Sequence, residues 1–79
     1  MTIKELKAQI LRTVQDATDP TTPITDETHL IRDLGLSSVE TMMMVTDLED
    51  QFGIKIPTRS LRNVQTVSDL TQAVIDALR

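Results

Sequence analysis

Cysteine is absent from the 79-residue chain, which excludes both a disulfide framework and a thiolate metal site. Tryptophan and tyrosine are also absent, and Phe52 is the only aromatic residue. A core must therefore be built from Leu, Ile, Val and Met. Basic charge is scarce: 8 Lys and Arg stand against 12 Asp and Glu, for a net charge of −4. Nucleic-acid binders use basic patches to displace phosphate counterions, so this balance argues against that class. No apolar run approaches the ~20 residues needed to span a bilayer. No charged-then-apolar leader is evident, so a cytoplasmic protein is expected. The length fits one domain, residues 1–79. A domain this small buries only about 60% of the surface its unfolded chain exposes, which implies modest stability.

Apolar residues recur with helical spacing. Ile3, Leu6, Ile10 and Val14 step by three and four, with Leu11 beside them, and Lys4, Lys7 and Arg12 fall opposite. This pattern predicts an amphipathic helix over 3–16, opened by a Thr2-to-Glu5 capping box. Pro20 and Pro23 forbid its continuation. A long connection over 17–36 follows, in which Ile24, Leu30, Ile31, Leu34 and Leu36 can pin the chain to a core. Asp26 to Leu30 can form one helical turn. His29 is the only histidine, and the chain offers it no cysteine and no clear carboxylate cluster. It reads as an exposed loop residue rather than a ligand or catalyst.

The stretch Asp33-Leu34-Gly35-Leu36-Ser37-Ser38-Val39-Glu40 organises the chain. Gly35 can make a turn that a β-carbon would oppose. Ser37 is a good N-cap, and Glu40 three residues on completes a capping box. Ser38 then takes the first helical position, facing solvent. A phosphate on its hydroxyl would sit at the positive end of the helix dipole.

The helix this stretch opens is predicted over about 38–52. Val45, Leu48 and Phe52 make its buried stripe, flanked by Met42 and Met44. Its charged positions, Glu40, Asp47, Glu49 and Asp50, are all acidic, with no Lys or Arg. A charged face is most often merely solvated, but one of uniform sign can steer a basic partner. Three consecutive methionines cannot all face inward. Met44 reads as core, and Met43 as either adaptable filler or a soft exposed contact. Gly53 ends the helix through a left-handed residue. Ile54 and Ile56 alternate around Lys55 in an extended exit. Thr58 can cap a short helix over about 59–63 that carries Arg59 and Arg62. A final helix over 67–78 is predicted from Val67, Leu70, Val74 and Leu78, with Ile75 beside them and a cap at Thr66 to Asp69. The sum is an all-α four-helix bundle with three main helices and a short third.

The run Asp33 to Glu40 resembles the attachment motif of the acyl carrier proteins, and more broadly of acyl and peptidyl carrier domains. The resemblance continues through Leu48-Glu49-Asp50-Gln51-Phe52-Gly53-Ile54-Lys55-Ile56-Pro57 and, more weakly, Val64 to Leu70. It implies that Ser38 receives 4′-phosphopantetheine from coenzyme A. The family usually has Asp directly before the modified serine, where this chain has Ser37. Two hydroxyls are thus adjacent, and the Leu-Gly spacing with the following Val39-Glu40 assigns the modification to Ser38. Other departures are Met43, where fatty-acid carriers are commonly acidic, Thr46, where many have an apolar residue, and the arginines of the short third helix. Together they lean toward a dedicated carrier in specialised synthesis.

The resemblance implies no catalysis by the chain itself. It implies a phosphopantetheinyl transferase and acyl- or aminoacyl-loading and condensing enzymes as partners. Their docking residues would be Val39, Glu40, Met43, Asp47, Glu49 and Asp50. The carried thioester would take its sulfur from the attached arm, since the chain has no thiol of its own. A monomer is expected, without membrane or nucleic-acid partners. Two other classes fit parts of the pattern. One is an unmodified helical interaction module with the same fold. The other is a small helix-turn-helix nucleic-acid binder, which the net charge opposes and salt-dependent DNA retention would reveal.

Overall fold

The computed structural model describes residues 2–19 and 21–79; Pro20 and Met1 lie outside the described residues. Four helices follow in order: α1 (Ile3–Asp16), α2 (Ser38–Phe52), α3 (Thr58–Leu61) and α4 (Val67–Leu78). α1 packs against both α2 and α4, and α3 rests on α4. The predicted all-α bundle with three long helices and one short one is the fold observed.

Each long helix begins where its capping chemistry dictates. Thr2 Oγ1 accepts the Glu5 amide at 3.1 Å. The reciprocal half of the expected box is altered, because the Glu5 carboxylate takes the Thr2 hydroxyl instead of the Thr2 amide. Complete capping boxes open α2 at Ser37 and Glu40, and α4 at Thr66 and Asp69. The short α3 starts differently from expectation. Pro57 is its N-cap and Thr58 is already helical, with no side-chain cap bond. Proline's fixed φ suits a helix entrance without any hydroxyl. Arg59 lies within α3, while Arg62 is its C-cap.

The core takes one stripe from each long helix. Leu6, Ile10 and Val14 of α1, Met44, Val45 and Leu48 of α2, and Val67, Leu70 and Val74 of α4 are buried. Leu30, Leu36 and Ile56 close it from the connections. Stripes of this kind are stable only against one another. Three apolar residues expected inside lie largely outside. Ile3 and Leu78 lie at the ends of α1 and α4, and Ile31 is exposed in a turn where Leu30 and Leu36 are the buried residues.

The long connection is held by hydrogen bonds more than by helix. Asp26 and Thr28 accept through their carbonyls from Ser68 and Val67, and the Leu30 amide donates to Gln65 at 2.8 Å. The backbone over 26–30 is thereby paired with the entrance of α4, so the expected helical turn does not form. His29 is half-buried instead of exposed. It bridges Thr66, and its Nδ1 accepts the Arg32 amide at 2.9 Å. Asp33 Oδ2 accepts the His29 amide at 2.8 Å. Gly35, at φ 69°, then turns the chain so that Leu36 enters the core and Ser37 reaches α2.

Candidate functional site

α2 begins at Ser38, as the sequence predicts, and the division of labour between the paired serines is visible in the hydrogen bonds. Ser37 Oγ accepts the Glu40 amide at 3.1 Å, and one Glu40 carboxylate oxygen accepts the Ser37 amide at 3.1 Å. Ser37 is therefore fully engaged as the cap. Ser38 is exposed, and its hydroxyl makes no hydrogen bond among the described residues. The first intrahelical donor is the Thr41 amide, which reaches the Ser37 carbonyl at 2.9 Å. A helix start leaves its earliest amides unpaired. Here the box satisfies those of Ser37 and Glu40, leaving Ser38 and Val39 at the positive end of the dipole.

The first two turns of α2 expose apolar side chains. Val39 is 69% exposed, Met43 67% and Met42 46%. Met42 was expected beside the buried stripe, but a hundred degrees of rotation per residue carries it outward while Met44 turns in. Ile31 adds a fourth exposed apolar side chain from the preceding turn. The open Met43 question is thus answered for position: it lies on the surface.

The acidic residues of α2 divide. Glu40, Asp47 and Asp50 are exposed. Glu49 is half-buried, and its Oε2 accepts the Ile56 amide at 2.7 Å, seven residues along the chain. That bond ties the extended exit back onto α2, where the Gly53 turn (φ 64°, ψ 39°) has reversed direction. One Glu49 oxygen is therefore committed within the chain. The six residues singled out from sequence thus do not form one uniform patch: five point outward and Glu49 leans toward the exit.

Helix α1 supplies a part of this region that sequence reasoning missed. Its last turn carries Asp16 and no basic residue, and Ala17 is its C-cap. Asp16 and Ala17 face Glu40, Met43, Met44, Asp47 and Asp50 across a groove of about 570 Å³. The helices are fixed at this spacing by a polar link. Gln51 Nε2 donates to Thr13 Oγ1 at 3.0 Å, and Gln9 Nε2 donates to Gln51 Oε1 at 2.8 Å. The signal for the groove was present only as Asp16 at a helix end. Nothing in the spacing of α1 reveals which turn of α2 it will meet.

Fold and geometry together define a small all-α bundle with a free hydroxyl at the positive end of its second long helix. Comparison with known proteins agrees. The family profile of the phosphopantetheine attachment site matches residues 8–74. An acyl carrier protein from Myxococcus xanthus is 31% identical over 75 residues, covering 94% of this chain and 95% of its own. One from Thermotoga maritima is 35% identical over 51 residues, covering 65% of this chain and 63% of its own, so this chain spans less than two thirds of that relative. A solved structure assigned as an acyl carrier protein from Mycobacterium tuberculosis superposes with a TM-score of 0.83 at 32% identity, covering 90% of this chain and 96% of that one. The chain belongs to the phosphopantetheine-attachment family, which includes the acyl carrier proteins.

The group this family carries is 4′-phosphopantetheine. The residues present fit a serine-linked phosphodiester. Ser38 offers an exposed hydroxyl that no cap bond consumes, and Ser37 performs the capping that would otherwise compete for it. The unpaired amides of the first turn favour negative charge there. Among the described residues no helix is long and apolar enough to cross a membrane.

Proposed function

We propose that this chain is a carrier, one domain over 1–79, modified at Ser38. A phosphopantetheinyl transferase would, with Mg²⁺, let Ser38 Oγ displace adenosine 3′,5′-bisphosphate from the pyrophosphate of coenzyme A, with loss of the hydroxyl proton, to form the phosphodiester. When bound, the arm supplies a terminal thiol that holds an acyl or aminoacyl group as a thioester. The chain's own part is to present Ser38 on a rigid helix start, to keep Ser37 occupied as cap, and to offer a surface to successive enzymes. Loading and condensing enzymes of fatty-acid, polyketide or nonribosomal-peptide type are the partners that fit. The chain would work as a cytoplasmic monomer and leave catalysis to its partners, with Ser38 a serine that another enzyme modifies.

The observation that carries this reading is the unengaged Ser38 hydroxyl beside an engaged Ser37. Docking would rest on Val39, Glu40, Met43, Asp47 and Asp50. Glu49 would contribute through the carboxylate oxygen that does not hold Ile56. The serine pair, the exposed Met43 and the arginines of α3 and its C-cap favour a dedicated carrier over a general fatty-acid one.

Intact mass after incubation with coenzyme A, Mg²⁺ and a broad-specificity transferase tests the proposal. Wild type and Ser37→Ala are expected to gain one phosphopantetheine, and Ser38→Ala none. Ser37→Ala loses a cap worth about 1 kcal/mol and should remain folded. Folded wild type that stays unmodified across several transferases would sink the carrier reading. The unmodified interaction module would then take its place, with Ser37 in the usual Asp position as the reason.

A further inference from the structure

The groove between α1 and α2 has a charge pattern that neither helix has alone. Along α2, Glu40, Met43, Asp47 and Asp50 step by three, four and three. They therefore form one stripe along the helix. Asp16 and Ala17, at the end of α1, form the opposite wall. The buried Met44 gives it an apolar floor, the exposed Met43 and Ala17 add apolar sides, Thr13 and Thr46 complete the lining, and acids stand on both walls. No Lys or Arg lines it. Arg12, on α1, lies in a smaller neighbouring groove of about 390 Å³. The C-terminus of α1 adds the negative end of its helix dipole, and no basic side chain in its last turn offsets it.

The rim does not suit a compact cation. Among the described residues no three carboxylates come together as a metal site would require. Spread acids around an apolar floor match a spread ligand instead. That ligand has one apolar side chain in the middle and positive charges on either side.

We propose that this α1–α2 groove, and not the α2 surface alone, receives a segment of a partner protein. The segment has a single large apolar side chain, seated between Met43 and Ala17, flanked by Arg or Lys that meet Asp16 on one wall and Asp47 and Asp50 on the other. The inference rests on the docking reading above for its partner, and it extends that surface to α1. It does not require Ser38 to be modified. Met43 acts as the adaptable contact, since a thioether can fit differently shaped anchors. The Thr13–Gln51 link keeps the walls apart and preformed, which lowers the ordering cost of binding.

The test is an NMR titration of the ¹⁵N-labelled full chain with a synthetic amidated peptide. The peptide carries one Leu with Arg three residues before and four after it. A control peptide has Glu in place of both Arg. The Arg peptide is expected to shift the amides of Asp16, Ala17, Met43 and Asp47 together, and to lose affinity as salt rises. Asp16→Lys is expected to weaken it roughly three- to tenfold, the scale of reversing one exposed charge pair. Asp16 is exposed and outside the core, so the variant should melt as wild type does. If it does not, Ala17→Lys replaces it. The proposal is overturned by no binding at millimolar peptide, by equal binding of the Glu peptide, or by shifts confined to α2. It is also overturned by concentration-dependent shifts at the groove without peptide, which would mark a second copy as the occupant. The mass assay at Ser38 is independent of this titration, so failure of either reading is seen separately.

Discussion

Asp69 shows how a single carboxylate can serve a helix start and set a pH limit. Its Oδ2 accepts the Gln65 amide at 3.0 Å and the Thr66 amide at 3.1 Å. Those two backbone bonds hold its carboxyl below the ordinary value of 3.8, with smaller help from the Thr66 hydroxyl and from His29. A carboxyl depressed in the folded state stabilises the fold above its unfolded pKa. That contribution is lost as the pH falls through the lower, folded value. Below about pH 3.8, wild type is therefore expected to lose stability more steeply than Asp69→Asn, although the variant should be the less stable at neutral pH. Acid titration followed by circular dichroism distinguishes them; parallel acid limbs would remove Asp69 from the account. Asp19 is depressed in the same direction, first by the Thr21 amide and then by its hydroxyl. That component remains in the variant.

At the scale of elements, the exit of α2 matters as much as its start. Glu49 reaches from the helix to the Ile56 amide, with Ile56 buried beneath it. Hydrogen bonds to charged groups contribute about 1.5–3 kcal/mol when intact. Glu49→Ala is expected to lower the melting temperature by roughly 4–8 °C for each kcal/mol lost. An unchanged melting curve would mean that Glu49 serves only partners. The helices were legible in the sequence because capping residues and apolar periodicity are local signals. Ser37 with Glu40, Gly53, and Thr66 with Asp69 each marked a boundary that the structure keeps. What stayed hidden depended on neighbours. Ile31 has the composition of a core residue, but Leu30 and Leu36 occupy the core beside it. His29 read as exposed loop, but it is half-buried because the Thr28 carbonyl and the Leu30 amide on either side of it bond Val67 and Gln65 at the entrance of α4. Asp16 and Ala17 gained significance only through the approach of α2, which no spacing within α1 encodes.

For the whole molecule, the order of elements along the chain does not match the order of support in space. Ser38 lies near the middle of the sequence, yet the turn that delivers it hangs on the last helix. Asp26, Thr28 and Leu30 are bonded to Ser68, Val67 and Gln65. A ribosome therefore releases Ser38 and all of α2 well before the segment that steadies them. Until Val67 and Leu70 arrive, Ile10 and Val14 also lack part of the apolar lining that buries them. A chain stopped at residue 64 contains the serine, its cap and its helix. It is nonetheless expected to gain phosphopantetheine far more slowly than the 79-residue chain. Time-resolved intact mass would show this, and equal rates would refute it. Translation arrested partway would then leave a fragment that is slow to be loaded, and coenzyme A would go mainly to chains synthesised as far as α4.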